Sequence, residues 1–532
     1  MDSFPILNVI VFLPVAAALI AVAIPQGLED RLAQPFGLAA ALAELGLVAY
    51  LVVAFKPEAG FQFVSHHSWI GTFGISWSLG VDGISLFLLA MTALLFPVAM
   101  VGPTLRQSPR AFMCWMLLLE ATCMATFLAL DVFVFFLMFD FSLVPMYFLI
   151  AGWGGARRSY AAMKFFIFTF AGSAFMFVGM LALVFLTTAA NAGHATFDLV
   201  TLTRLAGGLP HADQVLIFAA FAVAFAVKIP VIPFHSWLPD TYTQASAAGS
   251  MILAGILFKL GAYGLLRLGV FMLPRGAADL APLFLTLAVI GITYGALVTI
   301  MQHDLKRLIA YVTIVDVALI VLGFFGFSGQ SVTGSVMEMV NHGLITGSLF
   351  FLVGVIWERR GTLRFNDLGG LQKAAPIFAA IFLAVVMASI GLPGLNGFVG
   401  EFLVLVGTFA THRWWAVLAT TIVITSVIYL LWAYQRVFHG PVLNPANETF
   451  PDISRREMAA IAPLLAGIVF LGVYPAPYLD RVTPSVNHLL AHVQAAAPNA
   501  NVPPSGQPPL RYSVPADQNV DTSARTAAAT RP

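Results

Sequence analysis

The sequence predicts an all-α integral membrane protein of about 14 transmembrane helices, and three observations carry that prediction. Of 532 residues, 60% are hydrophobic and only 10% charged, against about 25% charged in an ordinary soluble domain. Windows of roughly 20 apolar residues, the length that crosses a hydrocarbon core of about 30 Å, recur from one end of the chain to the other. These windows are long and continuous, unlike the short alternating segments of a transmembrane barrel.

The expected spans are 5–24, 33–55, 84–101, 111–129, 132–151, 161–188, 214–235, 246–272, 280–301, 306–326, 334–356, 376–408, 414–437 and 457–478. No basic segment precedes the first span and no small-residue cleavage site follows it, so it reads as a retained helix and not as a signal peptide. Residues 494–532 are rich in Pro, Ala and polar side chains, and are expected to form a disordered tail.

A net charge of +1 says nothing about partners, but the placement of the 26 Lys and Arg residues does. Fifteen lie in or beside odd-numbered loops, as in "GARRSY", "HDLKRL", "WERRGTLRF" and "SRRE", and four lie in even-numbered loops, at Lys56, Arg204, Arg275 and Arg413. The positive-inside rule then predicts cytoplasmic odd loops and both termini on the opposite, periplasmic side of a bacterial inner membrane. The lipid bilayer is the expected surrounding, and nothing points to nucleic acid.

Cys114 and Cys123 share one span, about 13.5 Å apart along the helix axis and on opposite faces, so they are not expected to bond each other or hold a metal. The chain has no CxxC, no GxGxxG, no P-loop and no paired intramembrane histidines. Any redox cofactor is therefore expected on another chain.

The informative residues are the ionisable ones inside spans, where each costs at least a few kcal/mol. They are Glu120, Asp140, Lys228, Lys259, Asp316, His342 and Glu401, each near the middle third of a different span. A polar row at mid-membrane depth suits proton movement, although each residue on its own could simply lock two helices together. Lys228 stands out because "VKIPVIPFHSWLPD" places it beside Pro230 and Pro233, which remove backbone donors and leave carbonyls unpaired. A second interruption, "SIGLPGLNGFVGEF", combines four glycines and a proline with Glu401. Two interrupted helices, each with an ionisable residue, are the sequence pointer to an inverted-repeat transporter.

Weaker readings attach to the remaining candidates. Lys259 in "GILFKLGAYG" is as readily a lock as a relay. His342 suits proton exchange; Glu338, four residues before it, reads as interfacial. Asp82 reads as a helix cap, and Arg267, His235 and Asp240, close to span ends, as residues that face water or headgroups.

Together the segments "VKIPVIPFHSWLPDTYTQASAAGSMILAGILFKLGAYGLLR", "HDLKRLIAYVTI", "NHGLITGSLFFLVGVIWERR", "DLGGL" and "GLPGLNGFVGEFLVL" resemble the antiporter-like subunit M family of proton-pumping NADH:quinone oxidoreductase, respiratory complex I. The resemblance covers about residues 75 to 440. It implies an N-terminal unit at 1–110, inverted five-helix repeats at 111–272 and 280–437, each with a broken helix, and a last helix at 457–478. It implies Lys228 as central proton-binding group, Lys259 as connecting lysine and Glu401 as terminal group. It also implies neighbouring antiporter-like subunits of the L and N types and small membrane subunits, with NADH, flavin, iron–sulfur clusters and quinone on partner chains.

The related L, N and Mrp-type subunits generally carry lysine where this chain has Glu401, which favours the M type over an Mrp-type cation/proton antiporter. An antiporter-like subunit of a membrane-bound hydrogenase complex is a further alternative. Three positions depart from the family pattern: Asp140 stands where glutamate is usual, Asp316 where histidine is usual, and Ser246 where proline is usual. Glu120 is a candidate second carboxylate partner within the first repeat.

Mechanistically, desolvation works against the ammonium of a buried lysine and an approaching carboxylate works for it. At an effective dielectric of about 20, a charge pair is worth about 4 kcal/mol at 4 Å and about 2.4 at 7 Å. Small movements between Asp140 and Lys228 are thus expected to load or unload the lysine.

Overall fold

The computed structural model describes residues 5–25, 27–102, 108–442, 444–500 and 502–503. Among them, twelve helices are long and apolar enough to cross a bilayer, and Ile6–Val22, Pro376–Ser389 and Asn396–Thr411 are shorter apolar helices. Helices at the rim, such as Arg158–Thr188, turn Phe170, Phe175 and Phe185 outward. At the centre, Ala247–Phe271 and Gly329–Arg360 are buried along their whole apolar windows. A helix that is apolar on all sides needs protein or lipid on all sides; these two receive protein, and they carry Lys259 and His342.

Helix starts follow side-chain caps, each worth about 1 kcal/mol. Asp82 accepts from the backbone N–H of Ile84 and Ser85 and starts Gly83–Val101, as its sequence context suggests. Asp304 starts Leu305–Phe324, and Ser328 starts Gly329–Arg360. Asp131 caps Val132–Phe141 with one carboxylate oxygen, while the other accepts from the backbone N–H (2.9 Å) and hydroxyl (3.1 Å) of Ser76.

Ser76 belongs to an element that the all-α expectation omits. Gln62–Ile70 and Ile75–Val81 form an antiparallel hairpin, with His67 opposite Trp77. Trp77 Nε1 donates to Asn8 Oδ1 of the first helix at 2.9 Å. A two-stranded hairpin is marginal on its own, so it is the docking onto Asn8 and Asp131 that stabilises these strands, and a linear reading does not contain it.

Both expected interruptions are present. His211–Lys228 ends at the lysine and helix resumes at Trp237; Pro376–Ser389 ends before a turn in which Gly391 and Gly394 have positive φ, and helix resumes at Asn396. A third break was not expected: Val132–Phe141 and Leu143–Trp153 meet at Ser142. Pro145 cannot donate to the carbonyl of Phe141, which opens the ladder there.

The chain's end also differs from expectation. The last apolar helix covers Arg455–Val473, and after Pro475 a second helix, Ala476–Ala496, follows. The region expected as a tail from 494 therefore begins inside a helix, and residues 504–532 lie outside the described residues. This helix lies across the ends of inner helices: Ser485 Oγ accepts from Gly83 N at 3.0 Å, and Arg275 Nε donates to the Ala496 carbonyl at 3.1 Å. Val482, Val486, Leu489, Leu490 and Val493 form its buried stripe.

Candidate functional site

The ionisable residues inside the bundle fall into two groups with different geometry. In the first, Lys228 is the last residue of its helix and 2% exposed. The broken backbone beside it is repaired locally: Trp237 Nε1 donates to the Val227 carbonyl at 2.9 Å, and Val231 N donates to the Ala226 carbonyl at 2.9 Å. The ammonium is not repaired in this way. Among the described residues Lys228 Nζ has no hydrogen-bond partner, and it sits 4.5 Å from the Phe139 ring centroid and 6.0 Å from that of Phe165. Asp140, next to Phe139, is within electrostatic reach of Lys228 but makes no ion pair with it, and one of its carboxylate oxygens is buried without a partner. The Cys123 thiol is a further ionisable group near Lys228.

Gly261 brings the next helix close: a Cβ there would lie 3.0 Å from Lys228 Cβ and 3.1 Å from Ile229 Cγ1. That helix carries Lys259, which is fully buried. It is widened into π-helical turns at Leu253–Leu257 and Leu265–Phe271, a distortion common at functional sites. Within the first of these turns the Ala254 carbonyl accepts from Lys259 Nζ at 2.6 Å.

The second group is linked by contact. Lys259 Nζ lies 3.0 Å from His342 Nδ1, and His342 Nε2 lies 3.6 Å from Asp316 Oδ2. With Lys259 as an ammonium, which only donates, His342 Nδ1 is the acceptor and the imidazole hydrogen is on Nε2, the nitrogen nearer Asp316. Thr346 Oγ1 is 3.0 Å from the same Nδ1 and also donates to the His342 carbonyl. Asp316, the departure from the family pattern, is thus placed where it meets the outer nitrogen of His342.

Beyond Asp316 lie Glu338 and Glu401, close enough for all three carboxyls to act on one another electrostatically. Glu401 approaches the interrupted backbone, since a Cβ at Gly391 would come within 2.6 Å of Glu401 Oε2. Gly400 leaves room for Glu338, whose Oε2 would collide with a Cβ there. Asn341 Nδ2 donates to the Asn396 carbonyl at 2.8 Å and to Glu338 Oε2 at 3.4 Å. The hydroxyls of Tyr429 and Tyr478 are buried near these carboxyls, without partners among the described residues.

Glu120 is fully buried, both its carboxylate oxygens lack a partner among the described residues, and its ionisable neighbour is Glu44. Glu44, equally buried and unpartnered, was missed by the sequence reading although its signal was present: a carboxylate inside the apolar run "LAELGL". Glu338, which reads as interfacial in the sequence, is 4% exposed and lies among the inner carboxyls. Arg267 does not face water; it donates to Asp82 Oδ2 at 2.5 Å, and both residues are buried. Asp240 is half-buried in a 2.7 Å pair with Lys164, and His235 is likewise half-buried, its ring 5.4 Å from that of Tyr294.

A family profile described as "NADH:quinone oxidoreductase/Mrp antiporter, TM" matches residues 129–428. NADH-quinone oxidoreductase subunit M of Rhodobacter capsulatus is 39% identical over 508 residues, covering 92% of this chain and 97% of the relative. The subunit of the same name from Mycobacterium tuberculosis is 37% identical over 539 residues, covering 94% and 97%. Among solved structures, a chain of respiratory complex I from Thermus thermophilus with bound NADH superposes with a TM-score of 0.82 at 29% identity, covering 91% of this chain and 99% of that one. A chain of the Mrp complex from Dietzia superposes with a TM-score of 0.80 at 20% identity, covering 93% and 100%, which is a likeness of fold alone.

Proposed function

The chain belongs to the family of NADH-quinone oxidoreductase subunit M, and from that premise we propose how its buried side chains carry protons. It is a proton-translocating membrane subunit of that oxidoreductase, and other membrane subunits of a multi-subunit complex are its partners. The contact chain Lys259–His342–Asp316 supports the proposed route most directly.

Protons taken up from the cytoplasmic side load Lys228, with Asp140 as the modulating carboxylate. Protons then pass by Lys259 and His342. The Lys259 ammonium gives a proton to His342 Nδ1, the imidazole releases the proton on Nε2 to the Asp316 carboxylate, and Glu401 is the terminal group before exit. The 3.6 Å gap from His342 Nε2 to Asp316 is longer than a hydrogen bond, so a side-chain movement of about half an ångström acts as the gate. Glu338 joins the carboxyl group at the exit end, and Glu120, with Glu44, is a second carboxylate partner in the first half.

The architecture that fits this route counts Ile6–Val22 as one crossing and Pro376–Ser389 with Asn396–Thr411 as one broken crossing. With the twelve longer helices these make fourteen, arranged with inverted five-helix repeats over 111–272 and 280–437. Both termini lie on the periplasmic side of a bacterial inner membrane, in keeping with the fifteen cations of the odd loops. Subunits of the L and N types stand beside this chain, and NADH, flavin, iron–sulfur clusters and quinone reside on partner subunits, so that quinone reduction elsewhere drives the protons here.

Replacing Lys228 with alanine tests the route. The complex is expected to assemble with pumping abolished, read as acidification by reconstituted vesicles oxidising NADH. Undiminished proton translocation by that variant would remove Lys228 from the path.

A further inference from the structure

We propose that a cavity at one end of the bundle binds a phosphate-bearing anion, the headgroup of an anionic phospholipid. The cavity, about 670 Å³, lies between the loop after Trp153, the connection at 243–247, the start of Leu305–Phe324 and the end of Gly329–Arg360. That volume lies in the range of small-molecule sites.

Its charge is one-sided. Arg157, Lys306, Arg307 and Arg364 line it, against the single carboxylate of Asp304. Asp304 is already engaged, accepting from Arg307 N at 2.9 Å as a helix cap and lying within electrostatic reach of Lys306 and Arg307. Among the described residues no carboxylate pairs with Arg157 or Arg364. Arg307 Nε is buried without a partner among the described residues, and Lys306 spends one donor on the Ala245 carbonyl at 2.5 Å, leaving two. Guanidinium forks with an ammonium beside them match the oxygens of a phosphate.

The cavity is also built and not incidental. Gly155 N donates to the Gln244 carbonyl at 2.7 Å and Arg157 N to Gln244 Oε1 at 2.9 Å, which fixes the loop that presents Arg157. Gly154 packs so closely that a Cβ would lie 2.6 Å from the Gln244 carbonyl oxygen. Trp153 and Trp357 flank the opening, and Trp357 is 54% exposed. Tryptophan at a helix end marks headgroup depth, and basic pockets between transmembrane helices on the cytoplasmic side suit anionic headgroups. The basic loops that form this cavity are the ones expected on that side. The cavity shares no residue with the proposed proton route, so the two readings fail separately.

The test uses the intact complex reconstituted with trace photoactivatable phosphatidylglycerol or phosphatidylcholine, with crosslinked peptides mapped on this chain. The phosphatidylglycerol probe is expected to label segments 150–160 and 353–364 about fivefold more than the phosphatidylcholine probe. The Arg157→Gln/Arg364→Gln double variant is expected to lose most of that difference while keeping NADH oxidation. Should the double variant assemble poorly, Arg157→Lys/Arg364→Lys keeps the charge and is expected to retain at least half of the labelling. Equal labelling by both probes, or labelling that the double variant leaves unchanged, overturns the proposal. Displacement of the lipid probe by inorganic phosphate at millimolar levels supports the phosphate chemistry and assigns the site to a soluble phosphate.

Discussion

The two halves of the polar row use opposite strategies. Around Lys228 the ammonium touches aromatic faces and no hydrogen-bond acceptor, and its carboxylate neighbour Asp140 is near without contact. Around Lys259 the ammonium is held by the Ala254 carbonyl and by His342, and His342 faces Asp316. A cation without acceptors responds to any carboxylate that approaches, by about 1.8 kcal/mol between 7 and 4 Å at an effective dielectric of about 20. A cation fixed by two acceptors is less free to respond in that way. In the proposed route this difference suits the Lys228 half to loading and the Lys259 half to transfer.

After the loss expected for Lys228→Ala, breaking the connected half has the largest expected effect. Lys259→Met removes the amino group that contacts both Ala254 O and His342 Nδ1, and pumping in vesicles is expected to fall by about tenfold or more with the complex assembled. Retention of half the pumping would make Lys259 a helix lock and erase the contrast. Asp316→Asn comes next: the amide keeps the shape but accepts no proton, and a fall of several-fold in pumping is expected. His342→Asn should then add little, because two lesions in one chain of transfers are not additive.

Gly400→Ala tests packing around the exit carboxyls. The added methyl displaces Glu338 and is expected to cost about 1–3 kcal/mol as overpacking, seen as a lower melting temperature of the complex before any loss of pumping. Asp140→Glu is the mildest change. It lengthens the carboxylate toward Lys228 by one methylene, and a change in pumping of less than about twofold is expected, in the direction of tighter loading. Pumping and quinone-linked turnover both unchanged would deprive the Asp140 departure of mechanistic weight.

Much of the site was legible because its signals are local. An ionisable residue in an apolar run is costly wherever the run packs, so Lys228, Lys259, Asp316, His342 and Glu401 stand out one by one. The prolines at 230 and 233 and the glycines of "GLPGLNGFVG" break helices irrespective of neighbours. Glu338 and Arg267 are harder to read for the opposite reason: four or five residues from an expected span end, a side chain faces water or protein according to what packs there. Helix Ala476–Ala496 and the inner bundle cover that depth here.

The sequence by itself determined that this chain lives in a membrane, roughly where it crosses, where its helices break, and which buried charges need a purpose. Hydropathy, proline geometry and desolvation all act on the segment that carries them. Tertiary structure alone decided that Lys259 meets His342 while Lys228 meets Phe139, that Arg267 closes on Asp82, and that Glu44 turns toward Glu120. Those pairings depend on how each helix is rotated and how closely glycines such as Gly261 and Gly400 let helices approach, and that is settled by side-chain packing between segments far apart in the chain.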